Sequence, residues 1–180
     1  MRKLLALLTA LTLATLAWPV LAFEPNVNDP MELDVQRAII NIKNADPGIE
    51  TFFESAAGYA VFPSVGKGGI VIGGAFGRGL VIVDEKVDGY TSISQATIGL
   101  QLGGQKYAQF IFFRDETALG HFRRGNFEFG AQASAVAITA GASADAAYDR
   151  GVAIFTQASG GLMAEASVGG QRFKYEAKAE

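Results

Sequence analysis

Residues 58–83 read GYAVFPSVGKGGIVIGGAFGRGLVIV, and this stretch decides the fold. Apolar residues alternate with small or polar ones, and glycines punctuate the segments YAVFPSV, GGIVIGG and RGLVIV, which is the pattern of strands and not of a helix. Phe62 alternates with Ala60 and precedes Pro63, a residue that interrupts pairing, so its ring is expected in the core. A glycine pair that follows an alternating strand and precedes another strand recurs at GIVIGG (69–74), GLQLGG (99–104) and ASVGGQ (166–171). The intervals are unequal, which implies repeated hairpin geometry and not a solenoid.

Upstream of this stretch the period is helical. Asn28-Asp29-Pro30 offers a cap and a proline at the first helical position, and Met31, Val35, Ala38, Ile39 and Ile42 predict a helix over 31–44. A second helix is expected from Asp46-Pro47, with Ile49, Phe52, Phe53 and Ala56 on one face and Gly58 placed to end it. Downstream, YTSISQATIGLQLGG and QKYAQFIFF read as strands, and Thr117–Arg124 as a short helix with Leu119 and Phe122 inward. Strands return in FEFGAQASAVAITAGASA, GVAIFTQASGG and LMAEASVGGQRFKYEAK. Between Ala131 and Ala147 alanine, serine and glycine dominate, so either another element packs very close there or a cavity remains. The fold class expected is α+β: N-terminal helices packed on a strongly curved, glycine-rich antiparallel sheet or barrel.

The opening MRKLLALLTALTLATLAWPVLA has a basic start, an apolar stretch and small residues before Phe23, the three parts of a cleavable export signal. The organisation expected is a signal peptide over 1–22, a helical segment over 23–57 and a β-rich part over 58–180, the last two forming one unit. Export to the periplasm is expected, with outer-membrane association or secretion as the other destinations. There is no cysteine, which excludes disulfides and thiolate metal sites. Fifteen Lys and Arg stand against eighteen Asp and Glu. Without Arg2 and Lys3 the balance becomes thirteen against eighteen, a net charge of −5. A field of that sign argues against nucleic acid as a partner.

Little in the chain points to catalysis, and no enzymatic activity, cofactor or metal is expected. GGAFGRG (73–79) is followed by a strand, whereas a dinucleotide-binding loop must lead into a helix. Gly66-Lys67-Gly68 lacks the upstream glycine and the following Ser or Thr of a phosphate loop. His121 is the single histidine and has no partners for a metal site or a nucleophile. Asp84, Glu85 and Asp88 lack the spacing of a calcium loop and read as a hairpin turn. The 31–44 helix has a polar face of mixed charge, with Glu32 and Asp34 beside Arg37 and Lys43, which favours packing on the sheet over lying in a membrane interface.

A lipid site is expected at the 66–79 hairpin, with the aromatic face of the second helix nearby. Gly68, Gly69, Gly73 and Gly74 would bring backbone donors to a head group, Lys67 and Arg78 would supply charge, and Phe76 would meet an acyl chain. The competing reading makes the same residues a solvated turn.

The run GYAVFPSVGKGGIVIGGAFGRGLV (58–81) resembles the signature of the SYLF domain family. TIGLQLGGQKYAQFIFF (97–113), FRRGNFEFGAQASAVA (122–137) and SGGLMAEASVGG (159–170) are similar to its later blocks, in the family's order. The resemblance implies the family's fold and contact with lipid; Lys67 and its neighbouring glycines match the motif, while Arg78 comes from the charge argument alone. The resemblance also implies actin-filament binding for some eukaryotic members, a partner not expected for an exported chain. The function expected is therefore a non-enzymatic extracytoplasmic protein that binds lipid or a membrane surface, anionic phospholipid in particular. The alternatives are a cell-envelope structural or adaptor protein that binds another protein, and an outer-membrane β-barrel.

Overall fold

The computed structural model describes residues 23–69, 72–98, 105–125, 127–130, 133–159 and 166–179. The expected signal peptide, the glycine pair at 103–104 and much of the last family-like block lie outside the described residues. The described residues form three α-helices, two short 3₁₀ turns and nine strands, and the strands join in one sheet.

Helix α1 spans Pro30–Ala45 and starts where the cap chemistry dictates: the Asp29 side chain accepts from the Met31 amide at 2.8 Å, and Pro30 fills the first turn. Its buried stripe is Val35, Ala38, Ile39 and Ile42. A 3₁₀ turn, Pro47–Ile49, leads into α2, Glu50–Ser55. Gly58 does not end that helix; Ala56 caps it, and Gly58 opens the first strand, where an added Cβ would lie 2.9 Å from Val83. Helix α3, Glu116–Arg123, buries Leu119 and Phe122.

The strands are β1 Gly58–Gly69, β2 Ile72–Val83, β3 Lys86–Ile98, β4 Gln105–Phe113, β5 Phe127–Glu128, β6 Ser134–Ala137, β7 Val152–Ala158, β8 Ala166–Ser167 and β9 Arg172–Ala177. Their order is β5-β9-β3-β2-β1-β4-β7-β6-β8; β5 and β8 are two residues long, so seven strands form the body. The β2–β3 turn places Asp84 and Glu85 at φ 48° and 59°, the left-handed pair of a tight hairpin. Two expectations are corrected. The ladder is linear, so the sheet is open and no barrel closes among the described residues. It is also mixed, because β6 runs parallel to β7 through Val136↔Phe155 and Ala137↔Thr156. The described small residues of 133–147 include this short strand and a 3₁₀ turn, Ala142–Asp145, which follows Gly141 at φ 80°.

The sheet is rolled. β4 and β9 are four places apart in the strand order, which in a flat sheet would separate them by about 19 Å. Yet Gln109 of β4 exchanges hydrogen bonds of 2.8 and 3.1 Å with Gln171, the residue before β9. Gln171 also donates to the Tyr107 hydroxyl at 3.3 Å, and burial pushes the Tyr107 phenol up to about 12. This amide pair satisfies polar groups in a site closed to water, where an unpaired amide would cost about 1–3 kcal/mol.

Each face of the sheet carries its own core. On the outer face Val35, Ile39, Phe52 and Phe53 join Tyr59, Val61, Leu80, Phe110, Phe112 and Phe155 in one buried cluster. Within it the Phe53 ring stands edge-on to Phe112 at 4.9 Å. The inner face gathers Phe62, Val65, Ile111, Phe113, Phe122 and Phe173. Phe62 is fully buried there, 5.8 Å from the Phe173 ring.

Candidate functional site

Strand alternation decides which expected site residues can act together. In β2, Leu80 and Ile82 belong to the outer cluster, while Ala75 and Val81 belong to the inner one. Phe76 and Arg78 therefore project from the outer face. Lys67 is paired with Ala75, and Val65, two residues earlier, is an inner-core residue, so Lys67 projects from the inner face. The structure thus brings Phe76 and Arg78 together and separates Lys67 from them.

The glycines are strand residues. Gly68 pairs with Gly74 and Gly69 with Gly73, while Gly73 and Gly74 pair on their other side with Thr97 and Ala96 of β3. Gly73 and Gly74 are thus paired on both sides and Gly68 and Gly69 on the β2 side, and the four described glycines with positive φ, at 125, 141, 151 and 170, lie elsewhere. What Gly66 and Gly68 offer is low relief: a Cβ built at either one would touch nothing within 4 Å. The aromatic face of α2 is also remote from this end. Phe53 meets Tyr59, at the start of β1, edge-on with 5.0 Å between centroids, and the strand carries Lys67 roughly 25 Å further along.

A residue that sequence reasoning missed takes the place of Lys67. Lys106 is paired with Gly66, which is paired with Phe76, so it stands on the same outer face. Its register was not legible from sequence because the bulge between Val61 and Ser64 shifts every later partner of β1. Phe76 is 56% exposed, unusual for a phenylalanine in the middle of a strand. Neither Arg78 nor Lys106 has an ion-pair partner among the described residues. No Asp or Glu occurs between Gly58 and Val83 or between Gly89 and Phe113. Beside this patch, between α1 and the bulge, runs a groove of about 720 Å³ lined by Asp34, Arg37, Asn41, Ser64, Gln157 and Ser159.

The opposite end of the sheet is held by ion pairing. Arg123 of α3 grips Asp88 with both ends of its guanidinium, and the Tyr175 hydroxyl donates to the same carboxylate at 2.7 Å. Burial alone would raise the Asp88 carboxyl, but the Arg123 and Tyr175 hydrogen bonds outweigh it and hold it below the usual range. No group of three His, Cys, Asp or Glu side chains placed to hold a metal occurs among the described residues, and no described helix is long and apolar enough to cross a membrane.

These features define an α+β domain built as a rolled, open, mixed sheet with three helices. Residues 94–180 match the family model Ysc84, described as "Las17-binding protein actin regulator". The chain is also similar to beta cell expansion factor A of Aeromonas veronii, at 30% identity over 138 residues that cover 76% of this chain and 52% of that protein. It thus spans about half the length of that relative. Residues 94–180 thus match the SYLF domain family. The blocks at 97–113, 122–137 and 159–170 fall inside the matched region, whereas the glycine-rich run at 58–81 precedes it.

Proposed function

We propose that this protein is a non-enzymatic, exported lipid-binding protein that docks on a membrane surface through the outer face of its glycine-rich sheet end. The observation that carries the reading is Phe76, an exposed aromatic ring on a paired strand, with Arg78 beside it and Lys106 two strands away on the same face. An apolar ring between cations, on strands without carboxylates, matches the two halves of an anionic lipid. Gly66 and Gly68 keep the ground around the ring low, so that a bilayer can approach it. The match of residues 94–180 to the SYLF family model and the expected export signal support the same reading. The family-model description names Las17 and actin for its own proteins; for an exported chain neither is proposed as a partner.

The test is co-sedimentation of the purified protein with phosphatidylglycerol-containing liposomes. Phe76→Ala combined with Arg78→Ala is expected to weaken binding at least several-fold, because losing a charged contact typically costs about 1–3 kcal/mol. The thermal midpoint should not move. Wild-type binding by this double variant would reduce the hairpin to a solvated turn. Lys67→Ala, on the other face, is expected to change binding much less.

A further inference from the structure

The outer face of the sheet is covered by helices on only one side. Helix α1 packs against β1 and β2, and the outer cluster continues over β4 and β7. Val87 of β3 still packs on the outer cluster and Lys178, after β9, pairs with Glu32 of α1, but towards the glycine-rich end the outer face of β3 and β9 is bare: Ser94, Ala96, Arg172 and Lys174 are exposed, as is Glu176. Register aligns these residues into rows across the strands. One row is Arg78, Ser92, Lys174; the next, nearer the glycine-rich end, is Lys106, Gly66, Phe76, Ser94, Arg172. The bare face also holds Tyr90, 40% exposed, one row above Arg78.

We infer that the outer face of β2, β3 and β9 forms a platform that lies against an anionic bilayer, with Lys174 and Arg172 as contacts additional to the hairpin. This rests on the membrane reading above and fixes the orientation in which the protein docks. Three observations carry it. The first is charge: Arg78 and Lys174 are two strands apart, about 10 Å, which is close to the screening length at physiological salt, so they act on a charged surface together. Lys174 has no ion-pair partner among the described residues, while Arg172 shares its charge with Glu128 at 3.0 Å. The second is relief: between the cations stand only Ser92 and Ser94, with no side chain tall enough to hold a planar surface away. The third is the pair of exposed aromatics on the same face: Tyr90, whose amphipathic ring suits the head-group boundary, and Phe76, whose apolar ring suits the acyl chains below it. Glu176, in the row of Tyr90, marks the platform's limit towards the acidic end of the molecule.

The experiment compares two charge reversals on the intact protein. Lys174→Glu lies on the platform; Lys86→Glu, equally exposed, lies at the β2–β3 turn at the far end of the same ribbon. Binding is measured to phosphatidylcholine vesicles with and without phosphatidylglycerol, over a salt series, beside the Phe76 and Arg78 double variant. Lys174→Glu is expected to weaken binding to the anionic vesicles at least about fivefold and to flatten the salt dependence, the size of one basic residue's attraction to an anionic leaflet. Lys86→Glu is expected to change it less than twofold. If both reversals act alike while the double variant weakens binding, the platform is overturned and the hairpin reading stands. If neither the double variant nor Lys174→Glu changes binding, the membrane reading falls as well. Equal binding of wild-type protein to neutral vesicles overturns the charge argument directly.

Discussion

The β1–β2 ribbon has two regions built from the same residue types and packed in opposite ways. At its centre Gly77 and Gly79 lie under the bulge of β1, where Val61 to Ser64 spans one residue more than Leu80 to Arg78 opposite. A Cβ at Gly79 would lie 2.1 Å from the Val61 carbonyl oxygen and 2.9 Å from the Phe62 ring. At the tip, Gly66 and Gly68 face open space. One pair of glycines lets the chain close on itself and seal a core; the other pair leaves a surface empty. Composition is the same in both places, and only the neighbours differ.

The comparison breaks first at its packed side. Phe62 is completely buried in the inner core, and its position depends on the bulge that Gly79 makes room for. Phe62→Ala is expected to cost roughly 3–5 kcal/mol, from lost transfer energy and the cavity left against Phe173. Equilibrium urea unfolding measures it. A loss below about 1 kcal/mol would mean that the inner core relaxes around the site, and the contrast with the tip would vanish.

Gly79→Ala sharpens the same side with a single methyl group. The clash is with backbone, which cannot rotate away, so the bulge must move. Forced overpacking of this kind typically costs about 1–3 kcal/mol. A thermal midpoint at or above wild type would show that the bulge shifts freely, and that glycine at 79 is not demanded by packing.

The difference between the regions also explains what the sequence discloses. Helix α1, α3 and the strand character of 58–83 are legible because cap, periodicity and punctuation are local: Asp29 before Pro30, Leu119 with Phe122, glycine beyond each alternating run. The buried Phe62 follows from its alternation with Ala60. What is not legible depends on register. Separating Lys67 from Arg78, and replacing it by Lys106, requires the bulge at 61–64 and the pairing of Gly66 with both Phe76 and Lys106. The rolling of the sheet, fastened by Gln109 and Gln171 at |i−j| of 62, and the parallel β6–β7 pair are equally non-local. The site was legible as a region and a chemistry, and not as a face.

The smallest expected effect is the most diagnostic, because its sign reverses. Gly66 and Gly68 are exposed strand residues with no neighbour for an added methyl group, and neither requires a left-handed φ. Glycine in a strand costs roughly 0.5–1 kcal/mol relative to alanine, because its unfolded chain has more freedom to lose. Gly66→Ala should therefore raise stability by up to about 1 kcal/mol, where the same substitution at Gly79 lowers it. The pair is read in one urea series, so errors in extrapolation cancel. A destabilised Gly66→Ala would place packed chain against the outer face at the tip and bury the ground beside Phe76. The expected gain would instead leave Gly66 with no role in folding, and assign the low relief of this end to what approaches it from outside.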